Sequence, residues 1–238
     1  MKNREELSRR RFIASTALGT IGTLGTAGLI TSCSGGEKKP GKQKLPILLK
    51  QAPDGKVLKA GLIGCGGRGT GAAMNFFDAG PNLQIVSLGD VFQDRMDNCR
   101  TVLKTERNIE ISDENCFLGF DSYEKVINSG VDVVLLCTPP HFRPAHIEAA
   151  INAGKHVFME KPCAVDPVGA RSVLISAKKA EQMGLCMISG TIRRSQKDYM
   201  ETQRRVANGE IGDIVSAHII RNGGALWSMK RKPGWTDM

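Results

Sequence analysis

The sequence predicts an α/β fold, a doubly wound parallel sheet with helices on both faces. Three observations carry that reading. Residues 57–73 run from an apolar strand through a glycine turn into a helix start, and residues 131–137 form a nearly continuous apolar run. A helical stretch ending at Gly154 then leads into the short apolar run Val157, Phe158, Met159. Strands buried on both faces lack polar alternation, and their alternation with helical stretches implies parallel crossovers.

The first strand, residues 57–63, is followed by Gly64-Cys65-Gly66-Gly67-Arg68-Gly69. This is a dinucleotide-binding glycine pattern in its required strand–turn–helix setting. Gly64 suits the tight turn, Gly66 lets backbone approach a pyrophosphate, and Gly69 lets the helix pack closely on the strand. The helix N-terminus then offers free N–H groups to phosphate. A second strand, residues 83–89, ends in Asp90, at a spacing that suits an acid binding ribose hydroxyls. Such an acid repels a 2′-phosphate and so favours NAD, while Arg95 close behind leaves NADP open. Asp90 as a helix cap is the alternative.

The apolar run 131–137 reads as a central strand, and it stops at Thr138-Pro139-Pro140 because proline cannot continue a ladder. The turn brings His141, Phe142 and Arg143 beside the crevice at the sheet's carboxyl edge, and a helix over residues 144–153 returns the chain. The strand at residues 157–159 then delivers Glu160, Lys161 and Pro162 to the same edge, where open α/β sheets hold their ligands. The same tripeptide also fits a surface ion pair. Residues 185–189 form a sixth strand pattern, followed by Arg193 and Arg194, which either bind polar substrate groups or stay solvated. Residues 214–220 carry one more strand pattern.

Together the glycine loop, Asp90, Thr138-Pro139 and Ala153-Gly154-Lys155-His156-Val157-Phe158-Met159-Glu160-Lys161-Pro162 resemble the Gfo/Idh/MocA family of oxidoreductases over residues 57–213. The segment Asn208-Gly209-Glu210-Ile211-Gly212-Asp213 resembles the family's lead-in to its second domain. The resemblance implies a Rossmann domain, residues 56–190, followed by an incomplete start of an α+β open-sheet substrate domain, residues 191–238. It also implies NAD(P) and a sugar, cyclitol or related polyol between the two domains. Lys161 matches the family lysine that contacts substrate near the nicotinamide. Many members place a histidine where Arg143 stands, and their second-domain Asp/His segment has no counterpart here. The chain is therefore expected to be truncated, and inactive by itself.

On this reading the cofactor-binding residues are Gly64, Cys65, Gly66, Gly67, Arg68, Gly69, Asp90, Thr138, Pro139, His141, Glu160 and Lys161. Lys161 is the first candidate for proton transfer and His141 the second, with Glu160 orienting the lysine; Lys161, Arg193 and Arg194 are the substrate candidates. The function expected is hydride transfer by an NAD(P)-dependent oxidoreductase. One alternative is an NAD-dependent glycosidase resembling glycoside hydrolase family 109. Enzymes of that family carry valine where Lys161 stands, so Lys161 favours the dehydrogenase. A second alternative is an inactive nucleotide-binding fragment. A homo-oligomer is compatible with the full-length protein.

The N-terminus reads differently. Ser8-Arg9-Arg10-Arg11-Phe12-Ile13 precedes a mildly apolar stretch rich in Gly, Thr and Ala, the pattern of a twin-arginine export signal. Leu29-Ile30-Thr31-Ser32-Cys33 resembles a lipobox, which makes Cys33 a lipidation candidate, with an ordinary thiol as the alternative. Residues 1–33 are thus expected to engage the twin-arginine machinery and place the protein on the periplasmic side, anchored to the membrane by lipid. Residues 34–55 read as a flexible basic linker.

Charge supports that division. The formal charge is +9, but residues 1–59 hold 12 Lys/Arg against 4 Asp/Glu, leaving 21 against 20 of the chain's 33 and 24. The globular part is nearly neutral, so the basic segment suits an anionic membrane surface rather than nucleic acid. Seven cysteines show no CxxC or Cys/His spacing, so no metal site is expected. Cys65, Cys137, Cys163 and Cys186 are expected as buried thiols, and His146 as a structural histidine.

Overall fold

A computed structural model describes residues 55–220, 222–224, 228, 230–231 and 233–234. The proposed signal, Cys33 and nearly all of the linker lie outside the described residues. Six parallel strands form one sheet: β1 (Leu58–Ile63), β2 (Leu83–Asp90), β3 (Cys116–Leu118), β4 (Val133–Leu136), β5 (His156–Met159) and β6 (Met187–Ser189), in the order β3-β2-β1-β4-β5-β6. Between them run α1 (Gly67–Asp78), α2 (Gln93–Arg107), α3 (Ser122–Asn128), α4 (Arg143–Asn152) and α5 (Pro167–Gln182). Two further helices, α6 (Ile192–Ser195) and α7 (Lys197–Ala207), follow β6.

Side chains of successive strand residues point to opposite faces, and each face has its own core. Ala60, Leu62, Ile85, Leu88 and Leu135 meet Ala73, Met96, Cys99 and Leu103 from α1 and α2. On the other face Ile63, Val134, Leu136 and Val157 meet Val126, Ile147, Ile151 and Val173 from α3, α4 and α5. Leu62, Leu88, Leu103 and Leu136 are fully buried, each worth about 2 kcal/mol of transfer free energy. At Gly61 a Cβ would lie 2.3 Å from Val126 Cγ1, so the glycine lets α3 sit directly on β1.

Strand order reverses between β1 and β4. The connections from each run to opposite faces, which parts the loops at their carboxyl ends and opens a crevice there. The crevice walls are the β1–α1 loop, the end of β2, the β4–α4 turn and the β5–α5 loop.

Some expectations change. The strand patterns at residues 131–137 and 185–189 shorten to Val133–Leu136 and Met187–Ser189, because only the segments aligned with a neighbour complete the ladder. Residues 214–220 form no strand, and Ile214, Val215, Ile219 and Ile220 are exposed. No strand lies beside them among the described residues, and a β pattern without a ladder partner is not stable alone. Cys65 is fully buried as expected, but Cys137 and Cys163 are half-buried and Cys186 is exposed at the approach to edge strand β6. No described helix is long and apolar enough to cross a membrane.

Candidate functional site: a dinucleotide crevice at the strand ends

The β1–α1 loop is set by two glycines. Gly64 sits at φ +94°, and a Cβ there would lie 2.8 Å from the Cys137 carbonyl carbon and the Thr138 nitrogen. A Cβ on Gly69 would lie 1.7 Å from the Gly64 oxygen. Both positions therefore exclude any side chain, and the first turn of α1 folds back against the end of β1. Gly64 N–H donates to Gly89 O at 2.7 Å, and Cys137 N–H donates to Ile63 O at 2.8 Å. The N-cap of α1 is Gly66, without a side-chain cap, and the space beside Gly67 is open. Uncapped N–H groups beside open space fit a pyrophosphate.

Asp90 is buried at the end of β2, and its carboxylate ties the loop in place. Oδ2 accepts from Cys65 N–H at 2.6 Å and Oδ1 from Phe92 N–H at 2.9 Å. It does not cap α2, whose N-cap residue is Phe92 and which has no side-chain cap. A carboxylate oxygen accepts more than one hydrogen bond, so both oxygens retain capacity for ribose hydroxyls. Arg95 lies over the loop, with Nη1 2.8 Å from where a Gly66 Cβ would stand and its guanidinium 5.2 Å from the Phe92 ring centre.

Across the switch point stands Thr138, whose Oγ1 is 3.4 Å from His146 Nδ1. His146 is buried between the Tyr123 ring, stacked at 4.1 Å, and the Phe142 ring at 6.0 Å. Burial lowers its pKa from 6.5 to about 4, so the imidazole is neutral at pH 7. The sequence assigned it a structural role; its contact with Thr138 extends that role to the crevice wall. His141 is exposed, edge-on to Phe142 at 5.3 Å.

Glu160 follows β5, whose ladder it extends by donating N–H to Leu136 O at 2.9 Å. Its carboxylate does not orient Lys161. Instead Oε1 accepts from Arg68 Nε at 2.8 Å and Nη2 at 2.7 Å, tying the first turn of α1 to the end of β5. Spacing within the Glu-Lys-Pro tripeptide carries no trace of a partner 92 residues upstream, so this contact was not readable. Glu160 is only 6% exposed, and Gly190 leaves room for it: a Cβ there would be 2.9 Å from Oε1. Lys161 is exposed and has no hydrogen bond or ion pair among the described residues. It joins Pro162 through a cis peptide.

Arg143 departs most from expectation. It is 4% exposed, inside the wall rather than beside the crevice, and donates from Nη1 to Pro162 O. Burial also pushes the nearby Cys137 thiol up to about 12, which makes it a poor nucleophile. Arg193 and Arg194 are exposed on α6; Arg193 lies 4.6 Å over the Tyr199 ring and Arg194 makes no ion pair among the described residues. A groove of about 380 Å³, lined by Arg68, Phe76, Leu135, Phe158 and Ile188, runs along the sheet face beside α1 and reaches Gly190 and Thr191 past the end of β6. Among the described residues no three metal-ligating side chains converge.

The His146 shift carries a sign. The unfolded imidazole takes up a proton near pH 6.5, whereas the folded one does so only near pH 4, so stability falls as pH drops through that window. The loss attributable to His146 is about 3 kcal/mol. Urea denaturation from pH 7.5 to 4 should therefore show a flatter stability curve for His146→Phe than for the native chain. Parallel curves would show that the imidazole is not held neutral by burial.

Comparison with known proteins agrees with this geometry. Residues 58–188 match the oxidoreductase family with an NAD-binding Rossmann fold, Gfo/Idh/MocA. The scyllo-inositol 2-dehydrogenase (NAD(+)) of Bacillus subtilis (strain 168) is 26% identical over 158 residues, which are 66% of this chain and 42% of that protein. The D-glucoside 3-dehydrogenase of Escherichia coli (strain K12) is 25% identical over 189 residues, 79% of this chain and 48% of that protein. The crystal structure of scyllo-inositol dehydrogenase from Lactobacillus casei with bound NAD(H) and scyllo-inositol superposes with a TM-score of 0.54 at 27% identity, covering 66% of this chain and 43% of that one. The chain thus spans less than half the length of the relatives it matches. With its family match over more than half the chain and its loop, acid and strand ends at one switch point, the chain belongs to the Gfo/Idh/MocA family of oxidoreductases with the NAD-binding Rossmann fold.

Proposed function

We propose that the protein is an NAD-dependent oxidoreductase that removes hydride from a cyclitol or related sugar-like polyol, with residues 56–190 as its cofactor domain. The observation behind it is the joining of the glycine loop to Asp90 and to the β4–α4 turn at one switch point, with Lys161 following the end of the neighbouring strand β5. The cradle fits a dinucleotide: Gly64 and Gly69 leave no space for side chains, while the uncapped N-terminus of α1 faces open space beside Gly67. Backbone N–H groups of residues 66–69 would hold the pyrophosphate, Asp90 the ribose, and Thr138-Pro139 the opposite side. The nicotinamide, when bound, supplies the hydride acceptor.

The remaining work belongs to the chain. An alcohol that loses hydride must also lose its hydroxyl proton, and Lys161 Nζ at the strand end, unpaired among the described residues, is the group proposed to take it when in its neutral amine form. Arg68 neutralises Glu160, so the carboxylate does not compete for Lys161. His141 is the second candidate for the proton. Inositol and glucoside dehydrogenases among the relatives support a polyol substrate. Asp90 favours NAD; Arg95 over the loop is the one feature that favours NADP.

An exported, lipid-anchored location is part of the same proposal, supported by Arg9-Arg10 and the lipobox-like run ending at Cys33. Stable anchoring then requires more than one acyl chain.

Calorimetric titration of this chain should show NAD binding in preference to NADP. Asp90→Ala should weaken NAD and narrow the preference; an unchanged preference would remove the acid from the ribose site. In the whole protein, Lys161→Met should keep NAD affinity while single-turnover reduction of bound NAD by scyllo-inositol slows by about a hundredfold or more. An equal hydride-transfer rate would shift the proton to His141. For the anchor, mass spectrometry of membrane-fraction protein should find acylated Cys33, and a free thiol there would end the lipoprotein reading.

A further inference from the structure

The stretch between Glu160 and Asp166 joins β5 to α5 without regular secondary structure, and Lys161 stands in it. Its two ends are fixed. Glu160 is tied by Leu136 O and by Arg68, and Asp166 accepts from Gly169 N–H at 2.7 Å as N-cap of α5. Between them, among the described residues, the backbone of residues 161–165 makes a single hydrogen bond, from Arg143 Nη1 to Pro162 O. Side chains here make no hydrogen bond or ion pair among the described residues; Cys163 packs on the core, and the contact from Arg143 is the one polar tie on the segment carrying Lys161.

Arg143 is an unusual donor for that purpose. It opens α4, is 4% exposed, and makes no close ion pair among the described residues: Glu160 is held by Arg68 and acts on Arg143 only as a nearby charge. Its Nε is the one buried side-chain nitrogen or oxygen without a hydrogen-bond partner among the described residues. A guanidinium kept in such a place is costly, and stability alone would be served better by an apolar side chain of similar volume. What an apolar side chain cannot do is donate to the Pro162 carbonyl.

We propose that Arg143 is a positioning residue for the reaction, holding the Lys161–Pro162 turn from inside the crevice wall so that Lys161 stands at the strand end. The guanidinium also adds a fixed positive charge next to the lysine segment. The proposal rests on the reading of Lys161 as the proton carrier, but the role of Arg143 is testable through the lysine itself, without turnover.

The test is the pH–rate profile for acylation of Lys161 by an N-hydroxysuccinimide ester, read by peptide mass spectrometry on the whole chain, with exposed Lys59 and Lys104 as internal controls. In Arg143→Gln the Lys161 rate near neutral pH should change by about threefold or more while the controls do not move. Arg143→Lys, which keeps a cationic donor, should restore the profile at least in part. NAD affinity should stay within about twofold in both variants. A native Lys161 profile in folded Arg143→Gln overturns the proposal, as does a shift shared by all three lysines, which would report general loosening. If the glutamine variant does not fold, Arg143→His carries the residue of many family members. It lacks the guanidinium Nη1 that donates to Pro162 O, so it too should move Lys161 alone, and a native profile there overturns the proposal. Failure of the native chain to bind NAD would instead refute the cofactor reading and leave the labelling result standing.

Discussion

The crevice depends on one steric constraint, the interlock of Gly64 and Gly69 against the end of β4. A Cβ at Gly69 would fall 1.7 Å from the Gly64 oxygen, and one at Gly64 would fall 2.8 Å from Cys137 backbone. Three pieces of main chain thus occupy the volume that side chains would otherwise fill. The consequence is geometric: α1 starts directly at the end of β1, its free N–H groups lie at the switch point, and the β4–α4 turn is pressed against them. Asp90 completes the joint by holding Cys65 N–H, so the second strand also fixes the loop.

Electrostatics adds a second tie across the same opening. Arg68, at the start of α1, reaches Glu160 at the end of β5, closing the crevice wall between elements that are far apart in sequence. Arg68 is partly exposed, so solvent screens the pair and its contribution to stability is modest. Its positional effect is larger: with Glu160 occupied, Lys161 has no ion pair among the described residues and Arg143 donates to a carbonyl rather than to a carboxylate. The chemistry at the strand ends follows from that allocation of one buried carboxylate among three cations.

Much of the architecture was legible because it follows from local rules. Glycine spacing marks positions where a Cβ cannot fit, and the apolar runs at 131–137 and 157–159 mark strands covered on both faces. Proline at 139 and 140 ends a strand for want of an N–H. What was not legible lies in long-range pairing. Neighbouring positions in Glu160-Lys161 suggested a local pair, whereas the partner of Glu160 comes from α1. The turn after Pro140 placed Arg143 beside the crevice with His141, yet it lies inside the wall, 4% exposed. Cys186 precedes an apolar strand, but that strand is an edge, so the thiol is exposed. The β pattern at residues 214–220 shows the same limit: periodicity proposes a strand, and only a neighbouring strand completes it.

The central claim is that the loop, the end of β2 and the β4–α4 turn form one dinucleotide site. Hydrogen–deuterium exchange of the chain with and without saturating NAD tests it most directly. The account predicts added protection at residues 64–70, 90–92 and 138–143, with α3, the later turns of α5 and α7 unchanged. Protection confined to other elements, or none at a concentration where calorimetry shows binding, would place the cofactor elsewhere and contradict the account.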